Sequence, residues 1–208
     1  MLTANRDLMQ QARESLKGNW TLAVIGNAIY LILLFLVQGI PLIGWIGGLV
    51  IGGPLTLGWT IFFLKLGRRQ EAQLAQLFDG FYRFVNAFLA CLLMILFIFL
   101  WSLLLLIPGI VAYLSYSMTF FILTDHPEME GLEALRNSKV LMKGNRWKLF
   151  CLFWRFLGWF LLGVLSLGIG FLWIVPYLQT ALAQFYDDVK KDSANPHLVF
   201  GSPQPIHP

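Results

Sequence analysis

An all-α membrane protein of six transmembrane helices, paired as three hairpins, is what this sequence of 208 residues predicts. It is 58% hydrophobic and 12% charged, whereas soluble domains carry about a quarter charged residues. Three stretches, Trp20 to Leu64, Phe84 to Thr124 and Leu149 to Tyr186, hold no charge except Arg155. As helix each covers roughly twice the ~30 Å hydrocarbon core, so each crosses and returns. A short amphipathic segment precedes each stretch, giving a threefold internal repeat with units at about 1–66, 67–124 and 125–189. No linker separates the units, so 1–189 is one membrane domain.

The first unit opens with Ala12 to Trp20, where Lys17-Gly18-Asn19 ends a polar helix. Its spans are expected at Trp20 to Val37 and Leu49 to Leu66, with Gly39, Pro41, Gly44, Gly47 and Gly48 around the bend. A run that follows a helix of mixed charge and lacks a small-x-small cleavage site reads as a retained span, not a signal peptide. Gly48-x-x-x-Gly52, with Gly53 beside Pro54, predicts close helix approach.

In the second unit Glu71 to Asp79 is the amphipathic helix and Gly80 its stop. The spans are Phe84 to Ile107 and Gly109 to Thr124, turning at Pro108-Gly109. Asp125-His126-Pro127-Glu128 reads as a helix start, with acids near the positive end of the dipole.

In the third unit Leu132, Leu135, Val140 and Leu141 share a face, Glu133, Arg136, Asn137, Lys139 and Lys143 cover the rest, and Gly144-Asn145 ends the helix. Its spans are Lys148 to Leu167 and Gly168 to Tyr186, bending at Gly168-Ile169-Gly170. The return helices resemble one another: L-T-L-G-W-T-I-F-F-L-K-L from Leu55, Y-L-S-Y-S-M-T-F-F-I-L-T from Tyr113 and P-Y-L-Q-T-A-L-A-Q-F-Y-D from Pro176. Residues 190–208 read as a flexible cytoplasmic tail that includes His197 and His207.

Apart from Arg155, every Lys and Arg falls before or after a hairpin, and the three bends carry none. The positive-inside rule then puts both termini and both connectors in the cytoplasm of a multi-pass protein of the bacterial inner membrane. Trp20, Tyr82, Trp147, Tyr177 and Tyr186, with Trp45, Trp101 and Trp173 toward the outside, read as interfacial anchors.

The blocks Tyr113-Leu114-Ser115-Tyr116-Ser117-Met118, Asp125-His126-Pro127, Ala134-Leu135-Arg136-Asn137-Ser138, Leu141-Met142-Lys143-Gly144-Asn145, Gly168-Ile169-Gly170, Pro176-Tyr177 and Phe185-Tyr186 resemble the domain of unknown function 975 family of bacterial membrane proteins. Within that resemblance the family-like motif residues are Arg136, Ser138, Lys143, Gly144, Asn145, Pro176 and Tyr177. More distantly the chain is similar to the membrane domain fused to some bacterial glycerophosphodiester phosphodiesterases. The resemblance implies six membrane helices and no established activity. Where it leads one to expect a carboxylate and a serine in the fifth span, this chain has Phe153 and Arg155.

Ionisable groups inside spans are costly and mark function, and Arg155 is the one on offer. Arg155 either snorkels to the head groups or faces the bundle and attracts an anion such as a lipid phosphate. In the second case Asn27, Asn86, Ser115, Ser117, Thr119 and Gln179 assist. Ser115, Ser117 and Thr119 alternate along one helix, so each is expected to bond back to the preceding turn. Cys91 and Cys151 read as packing thiols. No phosphate loop, zinc spacing or catalytic triad is present in the sequence, so the reading is a non-enzyme without cofactor or metal that binds no nucleic acid. The leading function is association with the lipid bilayer, other membrane proteins or a second copy. The alternatives are a small transporter or channel for an anion or lipid, and a lipid-modifying enzyme built on Asp125, His126 and nearby glutamates.

Overall fold

The computed structural model describes residues 2–39 and 43–193. Bend residues 40–42 with Pro41, the Trp45 side chain and the tail from 194 with His197 and His207 lie outside the described residues. Within them the chain is helical and has no strand. The order is α1 (Asn5–Leu16), α2 (Trp20–Gln38), α3 (Ile43–Gly67), a 3-10 segment (Leu74–Arg83), α4 (Phe84–Leu104), α5 (Leu106–Tyr116), α6 (Thr119–Asp125), α7 (Gly131–Leu141), α8 (Arg146–Leu165) and α9 (Phe171–Asp192).

Among the described residues, five helical stretches are long and apolar enough to cross a membrane: Trp20–Gln38, Gly47–Gly67, Leu74–Leu103, Ile107–Asp125 and Arg146–Leu165. They sort by burial. Only 17% of the most apolar window is buried in the first and third and 22% in the fifth, against 56% and 61% in the other two. Helices α2, α4 and α8 therefore form the outside, and α3 and α5–α6 lie within. The stretch expected from the sequence to be a sixth span forms α9, which is not among these five because it carries Gln179, Thr180, Gln184 and a charged end from Asp187 to Asp192. It is nonetheless well enclosed, with Leu178, Ala181, Phe185 and Tyr186 buried and α1, α2, α3 and α8 packed around it. A helix covered by protein on several sides need not be apolar all round.

Several boundaries differ from the sequence expectation. Gly109 to Thr124 is not one rod: it breaks at Ser117-Met118 into α5 and α6. The Ser115, Ser117 and Thr119 hydroxyls donate back to the carbonyls of Val111, Leu114 and Tyr116, and the Ser115 carbonyl accepts 2.8 Å from Ser138 Oγ on α7. Asp125 ends α6 and starts no helix; α7 begins at Gly131. Gly80 does not stop a helix, since the 3-10 segment passes through it without a positive φ. Lys190, Lys191 and Asp192 continue α9 instead of beginning the tail. Tyr186 is no interfacial anchor but a fully buried core residue, and Trp101 and Trp173, expected toward the outside, instead share small clefts with Lys139 and Arg146 and with Arg13 and Trp20. Within the glycine motif of α3 close approach is made by Gly53, where a Cβ would lie 2.6 Å from the Ala87 carbonyl oxygen, while one at Gly52 would meet nothing within 4 Å.

The two turns read as helix stops do behave alike. Gly18 and Gly144 take φ of 91° and 90°. Asn19 N–H donates to Leu16 O at 2.9 Å, and Asn145 N–H to Met142 O at 3.1 Å. Ahead of them Leu8, Ala12 and Leu16 on α1, and Ala134, Ser138 and Met142 around α7, are buried in matching register.

Candidate functional site: a cation-lined cleft between α1, α8 and α9

The cleft exists because α1 does not float on the surface but is seated in the bundle. Its buried stripe of Leu8, Ala12, Ser15 and Leu16 faces the core, and polar bonds fix it along its length. Ser15 Oγ donates to the Gly67 carbonyl at 3.0 Å, Tyr177 OH to the Met9 carbonyl at 3.2 Å, and Asn5 Nδ2 to the Lys148 carbonyl at 2.9 Å. Thr3 donates from both its amide and its hydroxyl to Asp188.

With one stripe buried, helical periodicity turns Arg6, Gln10, Arg13 and Lys17 together onto another. That stripe forms one wall of a cleft of about 970 Å³, and Arg155 of α8 lines it as well. Four cations thus share one space. Glu14, the acid on the same wall, is engaged at its two oxygens by Gln10 Nε2 at 3.1 Å and Arg69 Nη2 at 3.3 Å. Like charges lining one concavity leave it with a positive field that an anion relieves.

Beside the cleft, and sharing Arg13, Trp20 and Tyr177 with it, runs a slot of about 190 Å³ floored by Trp159, Trp173 and Ile174. Trp159 meets the Tyr177 ring edge-on at 6.3 Å, and Phe156 supports Tyr177 from below at 5.1 Å. Cations above an aromatic, apolar slot are the two halves of a site for an amphiphile with an anionic head.

Asp125, Asp187 and Asp188 are paired elsewhere. Arg68, just past α3, forks onto Asp125 at 2.7 and 2.8 Å and also reaches Asp187 at 2.7 Å. Asp125 takes Lys190 Nζ at 2.6 Å and the Tyr186 hydroxyl at 3.1 Å as well. The ends of α3, α6 and α9 are tied together in this way, a bidentate arrangement that fixes geometry as well as charge. A second pair, Lys148 with Asp188 at 2.5 Å, joins α8 to α9. Burial pulls the Asp188 carboxyl upward, but the Lys148 ammonium and the two Thr3 donors outweigh it and hold it below the ordinary carboxylate range.

Of the residues picked from sequence, Arg155 lines the cleft, but Asn27, Asn86, Ser115, Ser117 and Gln179 do not gather around it. Asn27 is fully buried in α2, its amide atoms without a partner among the described residues. Asn86 Nδ2 instead donates to the Met129 carbonyl at 3.2 Å, anchoring the loop before α7. Ser115 and Ser117 serve the α5–α6 break, and Gln179 lies half-buried on α9. The motif residues are mostly architectural. Ser138 latches α7 to the break, Gly144 makes the turn, Asn145 Nδ2 donates to the Leu141 carbonyl at 3.2 Å, and Pro176 sits buried inside α9. Arg136 and Lys143 are exposed, and Tyr177 holds α1. Asp125, His126 and Glu128 do not converge: Asp125 is turned into the ionic cluster, and Glu128 is 74% exposed, 3.6 Å from His126 Nδ1.

Sequence reading passed over Arg6, Arg13 and Lys17 as site residues because only the docking of α1 brings them to Arg155. Their spacing with Gln10 as a single helical stripe was the available signal. It also passed over the Arg68 cluster, although Arg68, Asp125 and Asp187 each follow closely on an apolar, Phe-containing run at the end of a return helix.

Compared with protein-family models, the chain matches the one described as a protein of unknown function (DUF975) over residues 1–114 and 103–193. No curated protein matches it, and no solved structure does.

Proposed function

As the chain belongs to the DUF975 family, whose function is unknown, membership supplies no chemistry; from the geometry we propose a non-catalytic membrane protein that holds the head group of an anionic phospholipid in the cleft between α1, α8 and α9. The observation that carries this reading is the meeting of Arg6, Arg13, Lys17 and Arg155 around one space that opens onto an aromatic slot. Glu14 is drawn toward Arg69 and Gln10, so the cleft keeps its positive field.

The topology behind this reading has six crossings in three repeated hairpins, within the bacterial inner membrane and with both termini cytoplasmic. The uncharged part of α9, residues 171–186, covers roughly 24 Å as helix, and the turn at residues 168–170 ahead of it supplies the rest of a sixth crossing. The bond between Thr3 and Asp188 brings the start of the chain to the end of α9, which favours termini on one side. That side carries the cations of α1, Arg68, Lys148 and Lys190, so it is the cytoplasmic one. The inner leaflet is rich in anionic lipid, the chemistry the cleft favours. On its motifs we also infer a distant kinship with the membrane domain of glycerophosphodiester phosphodiesterases, as architecture and not as activity.

The test is native mass spectrometry of the purified full-length protein titrated with phosphatidylglycerol or with zwitterionic phosphatidylcholine. A cation near an anionic head group is worth about 1 kcal/mol, so Arg155→Leu weakens phosphatidylglycerol binding about fivefold while leaving phosphatidylcholine unchanged. Equal retention of the two lipids by the native protein, or an Arg155→Leu variant that binds like it, overturns the reading.

A further inference from the structure

The turn at Gly144 stands to α7 and α8 as the turn at Gly18 stands to α1 and α2. Counting back from those turns, Lys139 takes the place on α7 that Arg13 takes on α1, four residues before the Lys that precedes the glycine. Beneath Lys139 the structure has another cleft, about 210 Å³, bounded by α4, α5 and the start of α8. Its parts follow the same plan. Lys139 and Arg146 stand on its rim, Trp101 of the outgoing helix α4 takes the role of Trp159, and Val111, Ala112 and Tyr116 of α5 form an apolar floor like that of Ile174 and Tyr177. No acid lines it. Arg146 Nε is buried without a hydrogen-bond partner among the described residues, a donor that an anion in the cleft would satisfy.

We propose that this cleft is a second site for an intact anionic phospholipid, with the phosphate between Lys139 and Arg146 and an acyl chain along the floor under Trp101. The inference rests on the reading of the α1 cleft as a lipid site, and it makes lipid binding a property of the repeated unit. A soluble phosphate is not the occupant, because the floor is apolar and covers what only a hydrocarbon chain would cover.

The experiment is native mass spectrometry of the full chain with phosphatidylglycerol, counting bound lipids and comparing each variant with the native protein. Two phosphatidylglycerols are expected at saturation. Lys139→Gln with Arg146→Gln leaves one, Arg13→Gln with Arg155→Gln leaves one, and the four together leave none that phosphatidylcholine does not match. Lys139→Glu alone, at an exposed position that folding does not depend on, lowers occupancy of the second lipid at least fivefold. Lys143→Glu, at an exposed position outside the cleft, leaves both in place. Loss of lipid only with the first-cleft pair overturns this second site and spares the first. No change with either pair overturns the reading of the first cleft. Equal loss with Lys143→Glu and Lys139→Glu, or displacement of the second lipid by millimolar glycerol phosphate, also overturns the second site.

Discussion

Arg155 and Asp188 show how much a single side chain depends on what folds over it. Arg155 stands out in the sequence as the one charge in a long apolar stretch, but its companions Arg6, Arg13 and Lys17 sit on a segment that reads as an ordinary surface helix. Asp188 is anonymous in the sequence, one acid in the run Asp187-Asp188. In the fold it receives Lys148 and both donors of Thr3, with its side chain 12% exposed. Because its folded pKa is depressed, its contribution to stability is present above the unfolded value near pH 4 and is lost as pH falls through the folded value. Thermal unfolding followed from pH 6 to pH 3 is expected to show native protein losing stability below about pH 4. Asp188→Asn, already about 2 kcal/mol less stable at pH 6, is expected to show a flatter profile over the same range. A variant as stable as the native chain at pH 6 means that the Lys148 and Thr3 contacts carry no net stabilisation.

Among the elements, the crossing of α3 with the 3-10 segment is the tightest. A Cβ at Gly80 would lie 1.9 Å from the Pro54 carbonyl oxygen and 2.7 Å from the Gly58 nitrogen, and one at Gly58 would lie 2.0 Å from the Leu77 carbonyl oxygen. These are backbone atoms, which no rotamer change moves. Gly80→Ala and Gly58→Ala are therefore expected to destabilise by about 3 kcal/mol or more, seen as a clear fall in Tm. Gly158→Ala, with nothing within 4 Å, is expected to leave Tm unchanged or slightly raised. The glycines also show why part of the architecture was legible and part was not. Gly144 and Gly18 follow polar helices and precede Asn, a pattern that only a left-handed turn explains, and both turns were found. Gly80 sits at the end of an equally polar stretch, but its reason lies on α3, and a residue chosen for close approach looks the same as one chosen for positive φ. The break at Ser117-Met118 escaped for a similar cause. The hydroxyls that signal back-bonding were visible, whereas the partner that stabilises the opened carbonyl, Ser138, lies on α7.

For the whole molecule, hydropathy is distributed by layer. Helices α2, α4 and α8 are the most exposed, with Phe35, Leu103 and Leu165 at 80%, 77% and 83%. Elements α3, α5–α6 and α9 are more enclosed, and their ends are tied by Arg68, Asp125 and Asp187. The apolar count of the outer helices was plain in the sequence. The role of α9 was harder to read, because enclosure by α1, α2, α3 and α8 is what permits its Gln, Thr and charged residues. Each cleft is lined on one side by an amphipathic helix, α1 in one and α7 in the other, and the topology we propose sets both helices at the same leaflet. The most direct measurement is cysteine accessibility in intact cells and inverted vesicles, with Cys91 and Cys151 replaced and single cysteines placed at Leu2, Lys143 and Ser193. All three are predicted to react with a membrane-impermeant maleimide from the cytoplasmic face alone; labelling of Ser193 from the face opposite to Leu2 would contradict the six-crossing arrangement and, with it, a common leaflet for the two lipid sites.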